Sequence, residues 1–215
     1  MKKEKVLLIS LCAMLVVATS VVGTLAYLTS RDSVVNTFTV GNINLVLDEA
    51  DVTADGKVIP GAPRVEKNEY HLIPGRTYTK DPTVTVIEGS EEAYVRMLVT
   101  INCYDELCEI YGDPFLPQNF VSGWDNNVWK TTGIIKEDAA TNSATYEFRY
   151  KNTVAAPDKD EVLEPLFETM TVDESTTGEQ LAKLSNLEIT VIGHAIQAAT
   201  FADENAAWAA FDAQN

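Results

Sequence analysis

Ala93-Tyr94-Val95-Arg96-Met97-Leu98-Val99-Thr100-Ile101 sets the period for the chain. Ala93, Val95, Met97, Val99 and Ile101 fall on one side of an extended backbone. An apolar side chain at every second position marks a strand with a buried face. Working outward, Thr83–Ile87 and Thr145–Tyr150 alternate in the same way, and Leu187–Ala198 is the clearest strand of the second half. Upstream, Ser33–Leu47 reads as two strands broken at Gly41.

Turn signals separate these runs. In Leu72-Ile73-Pro74-Gly75-Arg76, Pro74 fixes φ and Gly75 permits a positive φ, which predicts a type II turn. Asp48–Asn68 is polar, with Asp55-Gly56 and Pro60-Gly61 as turns, and reads as a long loop or hairpin excursion. Asp125-Asn126-Asn127 predicts a hairpin whose strands hold Trp124 and Trp129. Val162–Val172 reads as strand or loop at a sheet edge. Helical character is confined to Tyr104–Tyr111, a weak segment at Thr177–Leu184, and an alanine-rich Asp203–Ala213 capped near Asp203. About eight strands, with helices only in connections, give an all-β sandwich.

Composition fits one folded domain with a signal and tails: 215 residues, 46% hydrophobic, net charge −16. Lys2, Lys3 and Lys5 precede an uncharged run, Val6–Val22, and Thr24-Leu25-Ala26 places small residues as a signal peptidase requires. The run is shorter than the ~20 residues of a relaxed membrane span, so cleavage is expected rather than anchoring. Ala26 is the first choice of cleavage residue and Tyr27 the second. The expected divisions are a signal peptide at 1–26, an N-terminal segment at 27–40 and a β-sandwich domain at 41–215. Loss of residues 1–26 leaves 13 basic and 31 acidic residues, a net charge of −18. Such a surface repels nucleic acid and anionic lipid. The expected location is therefore outside the cell, with membrane contact only through the signal before cleavage.

Catalytic and metal signatures are weak. His71 and His194 stand alone, without a His-Glu-x-x-His segment, and read as structural or surface histidines. There is no Gly-x-Ser-x-Gly elbow or glycine-rich phosphate loop. Glu88–Glu92 and Asp158–Glu161 match no calcium-loop spacing. Tyr94, Trp124 and Trp129 suit a sugar-binding face or, more simply, a core. Cys103 and Cys108 are the cysteines left after cleavage. A disulfide between them and a pair of buried or free thiols both stay open. No catalytic residue, metal or cofactor is expected.

Several segments in order carry a resemblance: Gly23-Thr24-Leu25-Ala26-Tyr27-Leu28-Thr29, Asn36–Leu45, Leu72–Val84, Ala93-Tyr94-Val95-Arg96 and Leu187–Ala198. Together they resemble the TasA/camelysin family of exported bacterial biofilm matrix proteins, whose signals are cut by the SipW signal peptidase. The resemblance implies a jelly-roll β-sandwich that forms extracellular or cell-surface fibres with like subunits or related matrix proteins. It also implies that the strand freed by signal cleavage pairs into the next subunit, as in β-strand addition. On this chain the donor would be about Tyr27–Phe38, with Leu28, Val34, Val35 and Phe38 as anchors. Arg31-Asp32 departs from that pattern by placing charges within the donor. Some family members are described as metalloproteases, which no metal motif here supports. A secreted adhesin using the loops around Trp124–Trp129 is the other class of function.

Overall fold

The computed structural model describes residues 42–214. The signal segment 1–26, the cleavage residues Ala26 and Tyr27, and the segment 27–40 with Leu28, Val34, Val35 and Phe38 lie outside the described residues. The described chain is mostly β-strand in antiparallel sheets, with few short helices. In chain order the elements are β1 (Leu45–Asp48), β2 (Thr77–Thr79), β3 (Thr83–Val86), β4 (Ser90–Asn102), α1 (Tyr104–Tyr111), β5 (Val121–Ser122), β6 (Trp129–Asp138) and β7 (Ser143–Tyr150). They continue with β8 (Val154–Ala156), β9 (Glu161–Val162), β10 (Thr169–Thr171), α2 (Gly178–Lys183), β11 (Ile189–Gln197) and α3 (Glu204–Asp212).

β4 is the spine. The main sheet runs β11-β4-β7-β6, and β8 also pairs with β4. The alternation that predicted β4 sorts its two faces. Ala93, Val95, Met97, Val99 and Ile101 are all buried in the core. Met97 lies opposite Phe148 and Gly193, Val99 opposite Tyr146 and Val191, and Ile101 opposite Ala144 and Ile189. Burial of each larger side chain in this row contributes about 2 kcal/mol. Two small sheets, β1-β3-β9 and β2-β10-β5, send Val84, Val86, Tyr78 and Met170 into the same cluster.

The opposite face of β4 is charged and still buried. Arg96 donates to Glu147 on β7 at 3.0 Å, and both side chains are only 4% exposed. Helix α3 covers them: Arg96 also pairs with Asp212, and its guanidinium lies 4.4 Å from the Trp208 ring centre and 5.1 Å from that of Phe211. Asp203 caps α3 by accepting from Ala206 N at 2.9 Å, where the sequence predicted the cap. The weak segment before β11 forms α2, with a capping box between Thr177 and Gln180.

The predicted turn at Leu72–Arg76 closes with Arg76 N donating to Ile73 O at 3.1 Å and Gly75 at φ 75°. The Asp48–Asn68 excursion contains a bridge between Val52 and Val58. The hairpin expected around Trp124–Trp129 is corrected. Asp125 accepts from Asn127 N with its side chain at 2.7 Å and from Trp129 N with its carbonyl at 3.0 Å, and only Trp129 enters a strand. That strand, β6, was hidden because register shifts between Thr131 and Gly133 and between Ile134 and Lys136 break its alternation.

Candidate functional site

The main sheet ends on two strands of different chemistry. β6 carries Lys130, Lys136, Glu137 and Asp138 and two irregularities, the usual protection of an edge against pairing. β11 has neither device. It is nine residues long, pairs with β4 without a register shift, and contains no Asp, Glu, Lys or Arg. A long, regular, uncharged edge is a template for another strand.

The ladder bonds show which groups that edge offers. Asn102 N donates to Glu188 O at 3.3 Å, and Ala198 N donates to Glu92 O at 2.9 Å. Antiparallel alternation then directs the backbone groups of Ile189, Val191, Gly193, Ala195 and Gln197 away from β4. Among the described residues, no strand pairs with them. The side chains of Ile189, Val191, Ala195 and Gln197 lie on the inner face, opposite Ile101, Val99, Val95 and Ala93, and Gly193 leaves a gap opposite Met97. An added strand would therefore find hydrogen-bonding groups beside half-buried apolar side chains.

β1 is an edge strand of the sheet β1-β3-β9 and packs its inner side chains against β11. Ile87 N donates to Asn44 O at 3.0 Å, so the same alternation turns the backbone groups of Leu45 and Leu47 away from β3. Glu49 continues this edge and exchanges two 2.8 Å bonds with Val65. β1 and β11 meet where Gly193 has no side chain: a Cβ there would lie 3.4 Å from Leu45 Cδ1 and 3.8 Å from Leu47 Cβ. Toward the start of β11 the seam widens into a cavity of about 1110 Å³. Leu47, Leu72, Met170, Leu184, Ile189 and Val191 give it apolar walls.

Charge marks the cavity as well. Lys80 and Glu49 line it as an ion pair at 2.6 Å, with side chains 7% and 11% exposed. Tyr70 lies against the Lys80 ammonium, 5.8 Å from its ring centre. Burial, with Glu49 and Asp81 nearby, raises the Tyr70 hydroxyl pKa far above neutrality, so it stays a donor, bonding Thr79 O at 3.0 Å. Around the remaining lining Asp48 is paired with Arg64 at 2.5 Å and Glu69 with Lys67 at 3.4 Å, while Glu66 and Glu188 have no ion-pair partner among the described residues. The opening favours a segment that carries a positive charge.

The other expected residues are dispersed. Cys103 and Cys108 are free thiols at α1. Burial, with Glu106 beside it, pushes the Cys103 thiol up, which leaves it protonated and a poor nucleophile at neutral pH. His71 is exposed beside the cavity. His194 lies under α3, 4.7 Å from Phe211, with Nδ1 accepting from Arg96 Nε at 3.2 Å. Burial and the Arg96 charge lower its pKa, so the ring is neutral at pH 7. Among the described residues, no group of three His, Cys, Asp or Glu side chains is arranged to hold a metal. Tyr94, Trp124 and Trp129 do not share a face: Trp129 is in the core and donates to Glu164 O at 3.0 Å, Trp124 packs on Phe148 at 4.9 Å, and Tyr94 alternates to the outer side of β4. Asp160 accepts from Glu88 N at 2.8 Å, joining the two acidic loops through the backbone. None of the described helices is long and apolar enough to cross a membrane.

The sequence identified β11 as a strand but not as an edge. The absence of Asp, Glu, Lys and Arg from Ile189–Gln197 was the available signal. No protein-family model matches the chain, and neither a curated protein nor a solved structure matches it.

Proposed function

We propose that this protein is an exported structural subunit of a bacterial cell surface or biofilm matrix, built as a jelly-roll β-sandwich and acting through assembly, not catalysis. A SipW-type signal peptidase frees the segment beginning near Tyr27. That segment pairs with β11 of the next subunit, and repetition makes a fibre. The observation that carries this reading is the β11 edge, whose outward backbone groups pair with no strand among the described residues and lie beside inner apolar side chains.

Two further features support it. Twelve residues, Tyr27–Phe38, extend about 40 Å at ~3.3 Å each, enough to cover nine-residue β11. The described residues also begin at Asn42, at the far end of the main sheet from the cavity. Asn42 bridges Ser90 at the start of β4, whereas the cavity lies at Ile189, which pairs with Ile101 near the end of β4. A donor strand of one subunit paired with a different surface, the β11 edge, of the next makes a heterologous contact, which propagates as an open filament when the rotation does not close.

Negative-stain microscopy of the exported chain, beside a chain beginning at Gly41, tests this. Fibres are expected only from the longer protein. Fibres from both, or from neither, refute strand addition through the N-terminal segment.

A further inference from the structure

We propose that α3 is an acid-released cover over a row of basic side chains that crosses the main sheet. The cover operates within a single subunit, whether or not subunits assemble. Register sets the row. Lys130 on β6 lies opposite Arg149 on β7, Arg149 opposite Arg96 on β4, and Arg96 opposite His194 on β11. Residues directly opposite share a face, so these four side chains stand in line on the outer side of the sheet, where like charges repel. The row gathers three cations and a histidine in a chain whose net charge is −16.

α3 supplies the opposing charges. Glu204 at its start pairs with Lys130 and lies 4.0 Å from Arg149. Arg149 Nη1 also donates to Asn205 Oδ1 at 2.7 Å. Asp212 at the other end pairs with Arg96, and Trp208 and Phe211 lie against the same guanidinium. The helix therefore touches every member of the row. Its hold is more polar than apolar: of its nine residues, Ala207 and Trp208 are buried. The fit also leaves buried donors unspent, since Arg149 Nε and Trp208 Nε1 have no hydrogen-bond partner. A short helix held in this way opens at lower cost than the sheet beneath it.

His194 is the member of the row whose charge changes near neutrality. Its Nδ1 accepts from Arg96 Nε at 3.2 Å, and its ring lies 4.7 Å from Phe211. A proton on Nδ1 removes the acceptor and completes a row of four cations. Arg96 faces the ring from β4, with Glu147 and Arg149 of β7 behind it, and Asp212 faces it from α3. β11 itself contributes no Asp, Glu, Lys or Arg. Asp212 favours the proton, but burial and Arg96 outweigh it and lower the His194 pKa. Once α3 lifts, water reaches the ring and its pKa returns toward about 6.5. The closed form is therefore favoured above that value, and its advantage is lost as pH falls through the lower closed-state value. Each pH unit between the two multiplies opening by up to about tenfold.

Hydrogen exchange by mass spectrometry on the exported protein, corrected for the intrinsic pH dependence of exchange, tests the cover. Amides of Glu204–Asp212 are expected to be about tenfold less protected at about pH 5 than at about pH 7.5, with β4 and β7 unchanged. Equal protection of α3 at both pH values, or β4 opening together with it, overturns the cover. H194Q keeps an oxygen that accepts from Arg96 and does not titrate, so it should hold α3 equally at both. An acid loss in H194Q equal to that of the wild type assigns the opening to the carboxylates and overturns the role of His194. Nuclear magnetic resonance titration of the His194 ring in the wild-type protein gives a reading that depends on no variant. A midpoint below about 6.5 is expected, and one at or above it overturns the proposal.

Discussion

Replacing Arg96 with alanine is expected to release α3 and destabilise the protein by about 4 kcal/mol. The figure follows from what surrounds the guanidinium. Breaking a buried ion pair costs about 3–5 kcal/mol because one charge is left without compensation. Here the lower end applies, since Glu147 keeps Arg149 at 2.9 Å and the Thr132 hydroxyl at 2.8 Å. The stack on Trp208 and Phe211 adds about 1–2 kcal/mol. Asp212 is 58% exposed, so its pair adds no more than ~1 kcal/mol. Urea unfolding measures the total, and hydrogen exchange by mass spectrometry localises it. Amides of Glu204–Asp212 should exchange like those of a free peptide, because a nine-residue helix is marginal alone, while β4 and β7 amides keep their protection. The control D212N should lose no more than ~1 kcal/mol. A loss below ~1 kcal/mol in R96A, or wild-type protection of α3, would refute the assignment of Arg96 as the post that holds the helix.

Three further outcomes are expected. K80A should lose about 3 kcal/mol by leaving Glu49 unpaired, and the double variant E49Q/K80M should regain most of it; equal losses in thermal unfolding would count against a tightly coupled pair. G56A should lose at least ~2 kcal/mol, because its Cβ would sit 2.6 Å from the Tyr78 backbone at φ 76°, and an unchanged melting temperature would contradict that close approach. Stability should also fall on acidification. Burial lowers the His194 pKa, with Arg96 adding to it; its contribution is present above the unfolded value of about 6.5 and lost as pH falls through the folded one. Arg96 holds the Asp212 carboxyl low, and Arg149, Thr132 and Arg96 outweigh burial to hold Glu147 low. Their contribution is present above the unfolded values of about 3.9 and 4.3 and is lost as pH falls through the lower folded ones. Urea midpoints that rise between pH 6 and 3 would reverse these signs.

A fourth outcome concerns export. A26F should block cleavage and prevent fibres, because the strand then stays joined to its signal. Mass spectrometry identifies the uncleaved protein, and fibres from it would separate cleavage from assembly.

Much of this protein is legible from residue order alone. Period-two alternation predicted β4, β7 and β11, since each turns every second side chain toward the core. Local chemistry fixed the Pro74-Gly75 turn and the Asp203 cap, because their partners lie within a few residues. β6 was obscured by irregularities that shift its side chains out of phase. The sequence placed α1 at Tyr104–Tyr111, as observed, but not what caps it. Its cap comes from a distant turn, where Asn142 accepts from Tyr104 N at 3.1 Å through its carbonyl and from Asp105 N at 2.9 Å through its side chain.

The candidate site divides in the same way. The sequence predicts a cleavable signal and a strand-like segment behind it, the proposed donor half, because both are continuous in the chain. The acceptor half is not continuous. Being an edge is a property of neighbours, and β11 is one only because β4 pairs with one side of it and no described strand pairs with the other. Arg96 looked like an outward charge on an alternating strand until α3 was packed over it. Gly193 looked like a weak point in a strand until the leucines of β1 were laid against it. Alternation, the Pro74-Gly75 turn and the Asp203 cap are set by near neighbours in the chain, whereas edges, buried charges and the close approach at Gly193 are set by residues far apart in it, 31 positions for Lys80 and Glu49 and 51 for Arg96 and Glu147. Only tertiary packing decides those.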